Sequence, residues 1–184
     1  MPVGTSDSSP GAQADFAIRE VGTGDEVAID RLLSGLDGRS RYRRWFSAAV
    51  DVGLAAQWAA HPERAGAVGL LAVAEGASVG HGVLVAGADG CGEVAFEVAS
   101  EWRHHGIAGA LLERLLDLAA ARGLREVYAE VLPENADMLA VLREYAAHSE
   151  SLSQNVVTVR LAVGPRPATS LSWPRQGSGA DYSG

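Results

Sequence analysis

The segment from Val94 to Ala119 constrains the fold more than any other part of this sequence. It joins an apolar stretch, an Arg-His-His-Gly-Ile-Ala-Gly turn and an amphipathic helical pattern without a break. The first turn of a helix carries backbone N–H groups without intrahelical partners, and the helix dipole makes that end positive. The sequence therefore predicts a strand–turn–helix unit whose turn binds a phosphate or pyrophosphate group without a basic side chain.

The hydrophobic periodicity around this unit predicts one mixed domain. Strands are predicted at 16–21, 67–74, 78–86, 92–98, 126–132 and 157–163, and helices at 23–36, 40–49, 51–60, 108–122 and 135–147. The order is βααα-βββ-αβαβ, which predicts an α/β (α+β) fold with a mixed, mainly antiparallel sheet and helices on both faces. Residues 1–15 and 164–184 are rich in Gly, Pro, Ser and Ala, so we expect a disordered arm and a disordered tail around a domain at 16–163.

Composition excludes several classes of site. All 15 basic residues are arginine, which rules out a Schiff-base lysine and a P-loop lysine. Cys91 is the single cysteine, so an internal disulfide and a cysteine-based zinc site are excluded, and we expect no metal and a cytoplasmic location. The net charge of −8 argues against nucleic acid as a partner, and no apolar run is long enough for a membrane span.

The turn has the form Arg103-x-x-Gly106-x-Ala108. Glycine lets the backbone approach a ligand closely, and the small residue two positions later avoids crowding it. A dinucleotide site instead needs G-x-G-x-x-G in a parallel βαβ unit, whereas the strands before this turn form a meander. The turn matches the [RQ]-x-x-G-x-[GA] signature of the GNAT superfamily of acyl-CoA-dependent N-acetyltransferases, and the resemblance extends over about residues 16–163.

This resemblance implies acetyl-CoA as co-substrate and a primary amine as acceptor. It implies that the main chain of Phe96 and Val98 binds the pantetheine arm and that the Val98 N–H polarises the thioester. The predicted pyrophosphate contacts come from the turn and the first helical residues, and a further contact comes from Asn135. The turn residues are Arg103, His104, His105, Gly106, Ile107, Ala108 and Gly109.

A narrower resemblance links Ser40–Phe46, Gly92–Phe96 and Ala129–Asn135 to the catalytic domain of bacterial Pat-type protein-lysine acetyltransferases. It implies a protein lysine as acceptor. A small amine remains an alternative acceptor, and a non-catalytic acyl-CoA-binding sensor remains an alternative function. The oligomeric state is expected to be a monomer or a homodimer.

Two glutamates are candidates for the general base that deprotonates the amine. Glu93, Ala95 and Glu97 share one face of the predicted strand, and Glu93 matches the family's frequent catalytic glutamate. Burial beside apolar neighbours would raise the pKa of Glu93 toward the working pH. Glu97 is the second candidate, and Tyr145 is the nearest tyrosine to the position where many relatives carry a general acid.

Overall fold

The computed structural model describes residues 15–47, 49–87, 89–145 and 147–164, with only the backbone at residues 147 and 148. The predicted arm and tail lie almost entirely outside these residues. The strands are β1 (Ala17–Glu20), β2 (Ala67–Ala74), β3 (Ala77–Ala86), β4 (Cys91–Val98), β5 (Glu126–Val131), β6 (Ala147–Ser153) and β7 (Val156–Ala162). The helices are α1 (Glu26–Gly35), α2 (Gly38–Trp45), α3 (Val52–Ala60), α4 (Ile107–Ala121) and α5 (Ala136–Glu144).

The seven strands form one sheet in the order β1-β2-β3-β4-β5-β7-β6. Every neighbouring pair is antiparallel except β4 and β5, which run parallel because the crossover helix α4 connects them. The predicted mixed, mainly antiparallel sheet is thus confirmed. The single parallel pairing lies in the interior of the sheet and involves only the first residues of β4, at the opposite end of the strand from the predicted cofactor turn.

Helices cover both faces of the sheet, as predicted. Helix α4 buries its apolar side against β2, β3 and β4, and the glycines of β3 allow this close approach. A Cβ built at Gly80 would lie 3.1 Å from Ile107 Cγ2 and 3.2 Å from the Glu97 carbonyl oxygen. On the opposite face, α1 and α3 form a smaller core in which Ile29 and Leu33 pack with Leu71 of β2.

Three elements differ from the prediction. Helix α2 covers Gly38–Trp45 rather than 40–49, because Phe46 takes a left-handed conformation that ends it. Helix α5 ends at Glu144 rather than near Ala147, and residues 147–153 form the edge strand β6, which the sequence pattern did not reveal. The sequence AHSESLS of β6 is polar because only one edge of this strand pairs, with β7. Within the described residues, no helix has the length and apolar character needed to cross a bilayer.

Candidate active site

The strands β4 and β5 separate soon after they meet. Their parallel pairing covers Cys91 with Glu126, Gly92 with Val127 and Glu93 with Tyr128. Beyond that point, Val94–Val98 and Ala129–Val131 line opposite sides of a cleft of about 450 Å³. This gap in the sheet connects its two faces, with α4 and α5 on one side and α2 on the other.

The hydrogen-bond alternation of the sheet directs backbone groups into the gap. The Ala99 N–H donates to the Val79 carbonyl at 2.9 Å. By the same alternation, the N–H and C=O groups of the odd-numbered residues of β4 hydrogen-bond to β3. In an antiparallel pair, the intervening residues point their N–H and C=O groups the other way. The backbone groups of Phe96 and Val98 therefore face the gap from which β5 has diverged.

The N-terminus of α4 opens onto the same cleft. Gly106 is its N-cap residue, with φ of 81°, and no described side chain caps this end. His104 also has a positive φ, of 62°, so the turn folds back tightly before the helix begins. The first amides of the helix are available for an anion, and the helix dipole makes their surroundings positive.

Helix α5 forms the second wall on the α4 side. Met138, Val141 and Tyr145 line the cleft at helical spacing, and Asn135 lies at the start of the helix. A Cβ built at Gly109 would lie 3.0 Å from the Tyr145 hydroxyl oxygen. Glycine at this position therefore lets the hydroxyl approach the first turn of α4.

Helix α2 forms the wall on the opposite face of the sheet. Ser40, Arg43 and Arg44 line the cleft there. The sequence favoured a solvated face for the arginines of this segment, with ordering of the substrate-side helices as the alternative. Arg44 Nε donates to Glu97 Oε2 at 2.6 Å, and the residues are 53 positions apart in the chain. No local sequence pattern reveals such a contact.

Glu97 is the buried charge of the cleft. Besides Arg44, its carboxylate contacts His81, whose Nδ1 lies 2.8 Å from Oε1. Burial by itself would raise the pKa of Glu97, but the charges of Arg44 and His81 and their hydrogen bonds lower it. An ionised carboxylate only accepts hydrogen bonds, so His81 Nδ1 carries the proton. His81 Nε2 is buried without a described partner.

Glu93 lies at the vertex where β4 and β5 separate. The burial expected for it is wrong, because its side chain is exposed. The described residues that surround the Glu93 side chain belong to strands and loops, and no helix among them covers the carboxylate. The Tyr128 hydroxyl lies 3.5 Å from Glu93 Oε2, and burial together with the charges of Glu93 and Glu130 raises the pKa of Tyr128. A second depression holds Glu93 and Tyr128, and it shares Glu130 with the main cleft.

Every residue predicted to bind the cofactor lines the cleft except His105. His105 is exposed and its Nδ1 lies 2.9 Å from the Arg103 carbonyl oxygen, so it braces the turn. The Ile107 side chain is buried in the core, which leaves its backbone for a ligand. Arg103 reaches across the cleft, where its Nη2 donates to Ser40 Oγ at 2.6 Å.

Comparison with known proteins agrees with this architecture. The chain is similar to the GNAT domain of S. lividans PAT, with 25% identity and a TM-score of 0.70 over 79% of this chain and 89% of that one. A putative acetyltransferase, YncA from Salmonella typhimurium with its cofactor acetyl-CoA, matches with 17% identity and a TM-score of 0.66, covering 86% and 100% of the two chains. The spermidine N-acetyltransferase from Vibrio cholerae, in complex with CoA and spermine, matches with 16% identity and a TM-score of 0.64, covering 80% and 95%. The last two likenesses bear on the fold alone.

The sequence match is broader than the signature turn. The family model "Acetyltransferase (GNAT) family" matches residues 34–146, which include α2, the whole cofactor turn and α5. No curated protein has a sequence that matches the chain significantly. The matched segment, the seven-stranded sheet and the amide-rich cleft agree with one another. The chain therefore belongs to the GNAT acetyltransferase family, and it is an acyltransferase that uses acetyl-CoA.

Proposed function

We propose that this protein acetylates lysine side chains of other proteins, with Glu93 as the general base. The observation that carries the proposal is the gap between β4 and β5, which joins two different surfaces. The α4 side offers backbone amides for a phosphorylated cofactor, while the opposite side presents the carboxylates of Glu93 and Glu130. An amine and a thioester that enter from opposite faces meet inside the gap.

In this proposal, backbone groups position acetyl-CoA in the cleft. The first amides of α4, after Gly106, bind the pyrophosphate, and Arg103, His104 and Asn135 line the same part of the cleft. The pantetheine arm follows β4, where the backbone groups of Phe96 and Val98 are free of β3. The Val98 N–H then donates to the thioester oxygen, and one such donor stabilises the oxyanion by roughly 3 kcal/mol.

The reaction is direct transfer. Glu93 removes a proton from the ammonium group, through a water molecule because its carboxylate lies in the adjoining depression. The amine nitrogen attacks the carbonyl carbon, a C–N bond forms, the C–S bond breaks, and CoA leaves as a thiolate. Tyr145, beside the first turn of α4, is the candidate proton donor to that thiolate.

Glu97 is the weaker candidate for the base, although it lies deeper in the cleft. Both of its carboxylate oxygens already accept hydrogen bonds, from Arg44 and from His81. Its lowered pKa also makes it a poorer proton acceptor. Glu93, by contrast, has one described contact, the long one with Tyr128.

A lysine acceptor is supported by two observations. The Ser40–Phe46, Gly92–Phe96 and Ala129–Asn135 segments resemble Pat-type enzymes, and the GNAT domain of S. lividans PAT is 25% identical. Beyond α2, the described residues also leave the acceptor side open around the exposed Glu93, which gives room for a polypeptide. The carboxylates of Glu93 and Glu130 attract an ammonium group.

The experiment incubates the protein with acetyl-CoA and either lysine-containing proteins or small amines such as spermidine. Thiol release reports turnover, and mass spectrometry locates the acetyl group. Because the chain contains no lysine, every acetyllysine detected belongs to the acceptor. Turnover with small amines alone would replace the lysine proposal, and binding of acetyl-CoA without thiol release would support a sensor.

The role of Glu93 is tested by Glu93→Gln. We expect kcat to fall by about a hundredfold with little change in acetyl-CoA affinity, because a general base contributes to the chemical step. Glu75→Gln, at an exposed turn between β2 and β3, is the matched control. A rate for Glu93→Gln within about twofold of the wild type would show that the base lies elsewhere.

A further inference from the structure

Helix α2 is unusual because it covers the cleft without burying any of its residues. Its sequence, GRSRYRRW, has no apolar stripe, and no residue from Gly38 to Trp45 is buried. Hydrophobic packing holds the helix only at its last residue, Trp45, which is half-buried against the smaller core formed by α1 and α3. Polar contacts at its two ends, and one in its middle, connect it to the rest of the protein.

The C-terminal end of α2 is joined to the sheet by the buried carboxylate of Glu97. Arg44 Nε donates to this carboxylate at 2.6 Å, and the His81 ring holds its other oxygen. His81 lies directly opposite Glu97 in the antiparallel pairing of β3 and β4. The carboxylate is therefore fixed from within the sheet, and Arg44 attaches α2 to it.

The N-terminal end of α2 is joined to the cofactor turn. Asp37, its N-cap residue, accepts from the Ser40 N–H at 2.8 Å and from Ser100 Oγ at 3.0 Å. The Arg103 guanidinium donates to Ser40 Oγ at 2.6 Å and lies 3.7 Å from Asp37. Between the two ends, Arg43 donates to the Glu134 carbonyl oxygen at 3.1 Å.

We propose that Glu97 and Arg44 are positioning residues that hold α2 over the acceptor side of the cleft, so that their ion pair sets the affinity for the acceptor. This inference rests on the proposed function, in which the acceptor enters from the α2 face. The cofactor occupies the opposite face, at α4, and the Arg44–Glu97 ion pair lies at the other end of α2 from the contact between Ser40 and the cofactor turn. Glu97 then acts through the helix rather than on the reacting atoms.

The experiment compares Arg44→Gln, Glu97→Gln and the double variant, with Arg39→Gln on the exposed surface of α2 as the control. In each single variant, we expect the KM for the acceptor to rise about tenfold, with kcat and acetyl-CoA affinity within about twofold of the wild type. The KM of the double variant for the acceptor is expected not to exceed that of the more impaired single variant, because both substitutions break the same contact. It also leaves neither charge unpaired in the protein interior, which keeps the comparison valid if a single variant folds poorly.

Hydrogen exchange gives a second readout that needs no acceptor. Amides at residues 38–45 should exchange faster in both single variants and at the wild-type rate in Arg39→Gln. Additive effects of the two substitutions, a fall in kcat at unchanged KM, or unaltered exchange in α2 would each overturn the inference. If the wild type acetylates no amine, the proposed function fails, and the exchange measurement still decides whether the ion pair holds α2.

Discussion

Two glycines at opposite ends of α4 allow a controlled test of the cofactor site. Gly106 precedes the helix with φ of 81°, and Gly123 follows it with φ of 72°. Alanine in this region of backbone space costs roughly 1–2 kcal/mol because its Cβ crowds the carbonyl oxygen. Gly106→Ala and Gly123→Ala should therefore destabilise the fold similarly, each lowering Tm by about 2–8 °C in a domain of this size.

The two variants should differ in cofactor binding. Gly106 lines the cleft, whereas a Cβ at Gly123 meets no atom within 4 Å, and the helix separates the two positions by about 22 Å. A methyl group at Gly106 would disturb the amides that we propose bind the pyrophosphate. Loss of one charge-assisted hydrogen bond, worth roughly 1.5–3 kcal/mol, raises Kd at least about tenfold.

Isothermal titration with acetyl-CoA measures this difference in Kd. Thermal unfolding without ligand verifies that the two substitutions lower Tm by the same amount. The expected result is a weakened Kd for Gly106→Ala and a wild-type Kd for Gly123→Ala. Equal Kd values for both variants, at matched stability, would refute the assignment of the pyrophosphate to the N-terminus of α4.

Two further predictions concern stability. Hydrogen bonds from the Ser40 N–H, Ser40 Oγ and Ser100 Oγ, with the Arg103 charge, lower the pKa of Asp37 to about 2, so its stabilising contribution is full above about pH 4 and is lost as the pH falls toward 2. Asp37→Asn keeps a good N-cap but removes the charge, so it should lower the free energy of unfolding by under about 1 kcal/mol at pH 7, where the carboxylate is half-exposed. In urea titrations, this loss of stability should be smaller at pH 3 than at pH 7. An equal loss at both pH values would contradict the role of the charge. Gly80→Ala should lower Tm more than Gly82→Ala, because its Cβ meets the Glu97 carbonyl oxygen at 3.2 Å, whereas the nearest atom for Gly82 is the end of the Leu115 side chain at 3.3 Å. Equal Tm values would show that α4 adjusts freely over β3.

The sequence predicted the parts of this protein that are contiguous in the chain. The turn from Arg103 to Gly109 and the apolar stripe of α4 lie within one short segment, so local pattern and backbone physics were sufficient. The mixed, mainly antiparallel character of the sheet followed from the order of strand and helix signals. The edge strand β6 was missed because an exposed, polar edge carries almost no hydrophobic pattern, and its hairpin turn uses Gln154 and Asn155 rather than a glycine.

The acceptor side could not be predicted in the same way. Arg44 and Glu97 are separated by 53 positions, and Arg103 and Ser40 by 63. Long-range polar contacts between single side chains leave no periodic pattern in the sequence. The pattern of an arginine-rich helix therefore indicates a solvent-exposed surface. The expected burial of Glu93 failed for a related reason, since strand alternation identifies a face but not what covers it.

The separation of β4 from β5 also bears on how this family varies. The groups that border the gap at Phe96 and Val98 belong to the main chain, which every amino acid supplies equally. In the proposed function these main-chain groups bind the cofactor, so substitution can change most side chains around the gap and leave that binding intact. A chain that shares only 25% of its residues with the S. lividans PAT domain can thus retain the same fold around this gap, while the side chains that face the gap are free to change.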